Sequence, residues 1–136
     1  MTGDALFTDL YELTMLQAYF NEGMEQEAVF DLFVRGLPDE RSFLIAAGLE
    51  QALEYLEGLH FSGESLAYLD SLDLFSKPFL EYLEGLRFTG SVRAVAEGTL
   101  VFPFEPLIEV SAPMPDRSTV TSKPSSIASR AVSLTQ

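Results

Sequence analysis

A chain of 136 residues with 21 acidic and 8 basic side chains carries a formal net charge of −13 and has no electrostatic reason to approach nucleic acid or an anionic membrane. It is 47% apolar, with eleven Phe and five Tyr, which suits one domain with a sizeable core. The absence of cysteine excludes disulfides, thiolate metal sites and cysteine nucleophiles; with no long apolar run and no basic leader after Met1, the expected location is the cytoplasm.

In chain order, Thr8–Met15 (TDLYELTM) reads as a helix opening. Thr8 can cap orphan N–H groups, and Asp9 and Glu12 place negative charge in the first turn, where the helix dipole favours it. The helix is expected over Asp9–Glu22, with Leu10, Leu13 and Phe20 on its inner stripe, Leu16 beside it and Gly23 at its end. A strand follows over Glu27–Arg35. Alternation puts Phe30, Leu32 and Val34 on one face and Asp31, Phe33 and Arg35 on the other. Tyr11 near a helix start and Arg35 at a strand end suit a flat, anionic ligand, since a ring can stack and a guanidinium can fork onto carboxylate or phosphate. The plain structural readings are a core-packed helix aromatic for Tyr11, a solvated strand end for Arg35 and a helix-start anion for Asp9.

Phe43–Gly48 is apolar and feeds a helix over Leu49–Leu59, with Leu49, Ala52, Leu53 and Leu56 inward and Glu50, Glu54 and Glu57 on a solvated face. An internal echo follows: LEYLEGLHFSG (53–63) returns as LEYLEGLRFTG (80–90), identical at nine of eleven positions. Two copies are too few for a solenoid and read as two helices ending in one packing layer. A short helix, Glu64–Leu69, lies between them, and Ser76 caps the second copy's helix with Pro78 in its first turn. His60 is the single histidine and cannot assemble a zinc site with thiolates or other histidines. From Gly90 the period changes to two. Val92 to Ala96, Leu100 to Phe104 and Leu107 to Val110, with turns at Glu97-Gly98 and Glu105-Pro106, predict an antiparallel meander without a glycine-rich phosphate loop. All the acids fall before residue 117; Arg117–Gln136 holds three bases, nine Ser or Thr and no aromatic, a composition expected to be disordered.

TDLYELTM, FDLFVRGLP (30–38), AAGLEQALEYL (46–56) and AEGTLVFPFEPLIEV (96–110), in that order and spacing, resemble the start of bacterial nicotinate phosphoribosyltransferases. The resemblance runs from about Leu6 to about Pro113 and covers roughly the first quarter to third of a family member. It implies an enzyme that joins nicotinate to phosphoribosyl pyrophosphate, giving nicotinate mononucleotide and pyrophosphate, with ATP used through a phosphorylated histidine and with magnesium. It implies that Tyr11 stacks on the nicotinate ring and that Arg35 faces substrate phosphate across a homodimer; Asp9 is carried beside them only as a candidate supporting the site from behind. Where the family often has a second arginine, this chain has Gly36. The phosphorylated histidine belongs to the family's barrel, and His60 does not stand in its motif.

The chain is therefore expected to be α+β: an α/β-hammerhead-like N-terminal domain of a type II phosphoribosyltransferase over residues 1–113, with helices on a small, mostly antiparallel sheet and the C-terminal barrel absent. Residues 114–136 are expected to be a disordered Ser/Thr-rich tail of frame-shifted character. No metal or cofactor is expected to bind this portion alone. Two other readings stand beside this one: a truncated, non-catalytic fragment, and an acidic protein-interaction module. Exposed apolar surface on strands such as Leu100–Phe104 is expected to drive association.

Overall fold

A computed structural model describes residues 5, 6 and 8–113; the tail expected over 114–136 lies outside the described residues. Helix α1 spans Leu10–Asn21 with Asp9, not Thr8, at its N-cap, and Asp9 makes no side-chain capping bond. It ends as Gly23 requires. That residue takes the left-handed conformation (φ +60°), the Met24 N–H donates to the Tyr19 carbonyl (3.0 Å) and the Gly23 N–H to the Phe20 carbonyl (3.2 Å), so two orphan acceptors of the last turn are satisfied. Leu13 and Leu16 are buried, and Phe20 packs against them from the edge of the core. Leu10, expected inward, is 48% exposed. At about 100° per residue, Leu13, Leu16 and Phe20 fall within roughly 60° of one another while Leu10 lies about 90° from their centre.

Helices α2 (Leu49–Glu57), α3 (Gly63–Ser71) and α4 (Lys77–Gly85) follow. On α2 the buried side chains are Ala52, Tyr55 and Leu56. Leu53 is exposed, and the larger Tyr55 ring takes the core in its place. The caps at α3 and α4 are the serines: Ser62 Oγ accepts from the Ser65 N–H (3.2 Å) and Ser76 Oγ from the Phe79 N–H (3.4 Å), with Pro78 in the first turn of α4. The echoed segments end in one layer, as their identity implies: Leu56, Leu59 and Phe61 of the first copy and Leu83 and Leu86 of the second belong to a single core cluster, with Phe88 packed against it. Phe20 of α1 meets Phe79 and Tyr82 of α4 at ring-centroid distances of 5.7 and 5.0 Å, which joins α1 to this layer.

The strands are β1 (Glu27–Leu32), β2 (Leu44–Ile45), β3 (Ser91–Ala94), β4 (Leu100–Val101) and β5 (Ile108–Pro113). All pairings are antiparallel, as expected, but they do not form a meander. One sheet has the order β1-β5-β3, with Phe30, Val110 and Val92 in register; β4 leaves it and pairs with β2. The turn at Glu97-Gly98 explains the departure. The Gly98 N–H donates to the Ala46 carbonyl and the Ala46 N–H to the Thr99 carbonyl, both at 2.8 Å, so the chain leaving the turn is already zipped to β2. Leu44 and Val101, opposite one another, are then buried together. The expected alternation in β1 holds, with Ala28, Phe30 and Leu32 turned toward the core and Val29 and Asp31 away from it. The strand itself stops three residues before Arg35.

Candidate functional site

Tyr11 lies in the first turn of α1 and is 58% exposed, so it is not the core aromatic that its helical setting alone suggests. The neighbouring Glu12 carboxylate accepts from the phenol hydroxyl, and its charge holds the Tyr11 ionisation above the ordinary tyrosine range; Asp9 adds to the effect. Asp9 is exposed, and its carbonyl accepts from the Glu12 N–H at 3.0 Å. Arg35 is exposed just past β1. The Val34 carbonyl beside it accepts from the Phe104 N–H at 2.8 Å, which fixes the backbone from which the guanidinium extends. Among the described residues Arg35 has no carboxylate partner, although acids far outnumber bases; the ion pair present is Arg93–Glu109 at 3.7 Å on the outer face of the sheet.

The structure does not bring Tyr11 and Arg35 into contact. Each presents its group to solvent from a different element. Neither, nor Asp9, lines the narrow hollow of about 30 Å³ that opens between the start of α2 and the ends of β1 and β5. Its walls are mostly apolar, including Leu32, Ala46, Ala52, Val95 and Leu107, and Glu97 stands among them. The Glu97 carboxylate is already engaged: one oxygen accepts from the Gly48 N–H (2.8 Å) and the Leu49 N–H (2.7 Å). It caps α2 from 49 residues away. The sequence carried a signal for this, because the residue before α2 is Gly48, which has no side chain to cap with and sits in the left-handed conformation (φ +94°). Glu97→Ala is expected to lower stability by roughly 1–2 kcal/mol, and Glu97→Gln by less because an acceptor oxygen remains; chemical denaturation of the three chains checks this.

A second residue not foreseen in the sequence is Gln17. Its Oε1 accepts from the Ser76 N–H (2.8 Å) and its Nε2 donates to the Leu74 carbonyl (3.3 Å), which ties α1 to the loop before α4. His60 is half-buried and donates from Nδ1 to the Gly58 carbonyl at 2.8 Å. Among the described residues no group of three or more His, Asp or Glu could hold a metal ion, and no helix is long and apolar enough to cross a membrane.

Among the described residues, four helices pack with small antiparallel sheets, and this α+β body is shared with the N-terminal part of solved nicotinate phosphoribosyltransferases. The crystal structure of human nicotinic acid phosphoribosyltransferase superposes on 83% of this chain with a TM-score of 0.73 and 33% identity, using 23% of its own length. The nicotinate phosphoribosyltransferase of Vibrio cholerae shares the fold at a TM-score of 0.70 and 19% identity, over 98% of this chain and 31% of its own. The model of the nicotinate phosphoribosyltransferase N-terminal domain matches residues 6–120, and the chain belongs to that family. A nicotinate phosphoribosyltransferase of Mycobacterium tuberculosis is 50% identical over 110 residues, 81% of this chain and 24% of the relative. That of Bacillus subtilis is 46% identical over 111 residues, 81% of this chain and 23% of the relative. The chain thus spans about a quarter of the length of the curated relatives it matches.

Proposed function

We propose that this domain serves an enzyme that joins nicotinate to phosphoribosyl pyrophosphate, forming nicotinate mononucleotide and releasing pyrophosphate, in the cytoplasmic synthesis of NAD. The family match over residues 6–120 carries the reading. In it, the Tyr11 ring is a stacking face for the pyridine ring, and the Arg35 fork holds substrate phosphate in a homodimer of the complete enzyme. Asp9 stands behind Tyr11 as a supporting group, and the Glu12 and Asp9 charges push the Tyr11 ionisation upward. The exposure of Tyr11 and the lack of a partner for Arg35 among the described residues support these roles, because a group already buried or paired could not be offered to a ligand. Neither nucleic acid nor a membrane is a partner in this reading.

ATP and magnesium would serve the complete enzyme. The described residues hold no group of three or more His, Asp or Glu that could bind the metal. The domain alone offers a ring and a guanidinium that do not meet, and its histidine is tied to the Gly58 carbonyl. The purified 136-residue chain is therefore expected to form no nicotinate mononucleotide from nicotinate and phosphoribosyl pyrophosphate, with or without ATP and magnesium. Product detected by chromatography above a no-protein control would overturn this.

A further inference from the structure

The chain just past β1 is held by a strained turn. Residues 33–38 follow β1 without belonging to a strand or helix, and Arg35 lies among them. The segment leading into β5 reaches back to their start: the Leu107 N–H donates to the Leu32 carbonyl at 2.8 Å. One step further out, the Phe104 N–H donates to the Val34 carbonyl, also at 2.8 Å, and the Phe104 ring stands 6.1 Å from that of Phe33. The residue before Arg35 is thus gripped through its carbonyl, and the one before that through its ring. On the other side of Arg35 the chain is open: a Cβ at Gly36 would meet nothing within 4 Å.

Phe104 occupies a place that suits glycine. In residues 102–105 the Glu105 N–H donates to the Phe102 carbonyl (3.3 Å), Pro103 takes the second position and Phe104 the third, with φ +66°. That is the pattern of a type II turn, whose third residue is ordinarily glycine or asparagine, and a bulky side chain there strains the backbone. The Glu105 carboxylate braces the turn by accepting from the Phe102 N–H (2.8 Å). Phe104 is 69% exposed, so burial does not offset the strain; its ring contact is with Phe33. Strained residues of this kind cluster where a neighbouring functional group is held in place. The group held here is Arg35, exposed and without a carboxylate partner among the described residues.

We propose that Phe104 is a positioning residue for Arg35: its turn and its ring clamp residues 33 and 34 and so set where the Arg35 fork meets substrate phosphate. The inference rests on the reading of Arg35 given above, and two measurements keep the two apart. In the 136-residue chain, amide relaxation reads the clamp without any reaction. The Arg35 amide is expected to show the order parameter of rigid backbone, about 0.85, in the parent and to fall toward about 0.6 in Phe104→Gly. Glycine accepts the left-handed backbone, so this variant is expected to melt no lower than the parent, and its effect is not a loss of fold. In a family chain long enough to be active that carries this domain, Phe104→Gly is expected to raise the Michaelis constant for phosphoribosyl pyrophosphate roughly three- to tenfold, the effect of one aromatic contact, with the constant for nicotinate and the turnover number unchanged. Phe33→Ala, which removes the other ring and leaves the turn alone, is expected to do the same, and Phe104→Tyr, which keeps the ring, to stay near the parent. In an Arg35→Ala background Phe104→Gly is expected to add nothing, because the clamp then holds no fork. A rigid Arg35 amide in Phe104→Gly, a loss shared equally by both substrates, or an equal loss with and without Arg35 would overturn the inference while leaving the role of Arg35 intact. Arg35→Ala without a kinetic effect would overturn that role, and the inference with it.

Discussion

Gly90→Ala is expected to destabilise the domain by about 3 kcal/mol, lowering its melting temperature by roughly 10–20 °C, whereas Gly63→Ala is expected to be neutral or slightly stabilising. The two glycines close the two copies of the echoed segment and are indistinguishable by sequence. Their surroundings differ. A Cβ at Gly90 would press into the backbone carbonyl of Ser111, 2.7 Å from the Ala112 Cβ and 2.8 Å from the Phe88 ring. The first two belong to β5, the central strand, and Ala112 is buried, so relief requires β3 and β5 to part. At Gly63 a Cβ meets nothing within 4 Å, and alanine would favour the first turn of α3. Thermal melting of both variants beside the parent checks this. Equal behaviour of the two would mean that the close approach at Gly90 does not hold in solution.

Tyr11→Ala, placed in a family chain long enough to be active, is expected to lower activity toward nicotinate by roughly five- to 150-fold, because base–aromatic stacking is worth about 1–3 kcal/mol. Tyr11→Phe keeps the ring and is expected to lose much less. Arg35→Ala is expected to raise the Michaelis constant for phosphoribosyl pyrophosphate more than that for nicotinate, and Arg35→Lys to restore it only in part, since an ammonium lacks the planar fork. Both side chains are exposed and neither belongs to the core cluster, so all four variants are expected to melt within about 0.5 kcal/mol of the parent. Kinetics and melting on the same samples separate the two accounts. A loss of stability with unchanged kinetic constants would show that the residues only hold α1 and the end of β1 in place.

What could be read without the fold was local. The helix ending at Gly23, the serine cap at Ser76 and the alternation of β1 each depend on a few neighbouring residues, and each follows from capping geometry or the two-residue strand period. The faces of the helices were legible only in part. Periodicity finds an apolar stripe but not its centre, so Leu10 and Leu53 were expected inside while Tyr55, polar at its tip, took the buried place.

The sequence by itself determined the family, the helices, the helix end at Gly23 and the serine cap at Ser76, and it offered Tyr11 and Arg35 for the ligand. Ordered motifs and short-range geometry survive without knowledge of partners. Only the tertiary structure decided which strands pair, that β4 joins β2 while β5 lies between β1 and β3, and that Glu97 caps a helix 49 residues away. Alternation specifies which side of a strand is apolar but not which strand lies beside it. A carboxylate can satisfy any pair of N–H groups that the fold brings within about 3 Å, and sequence separation does not enter that distance.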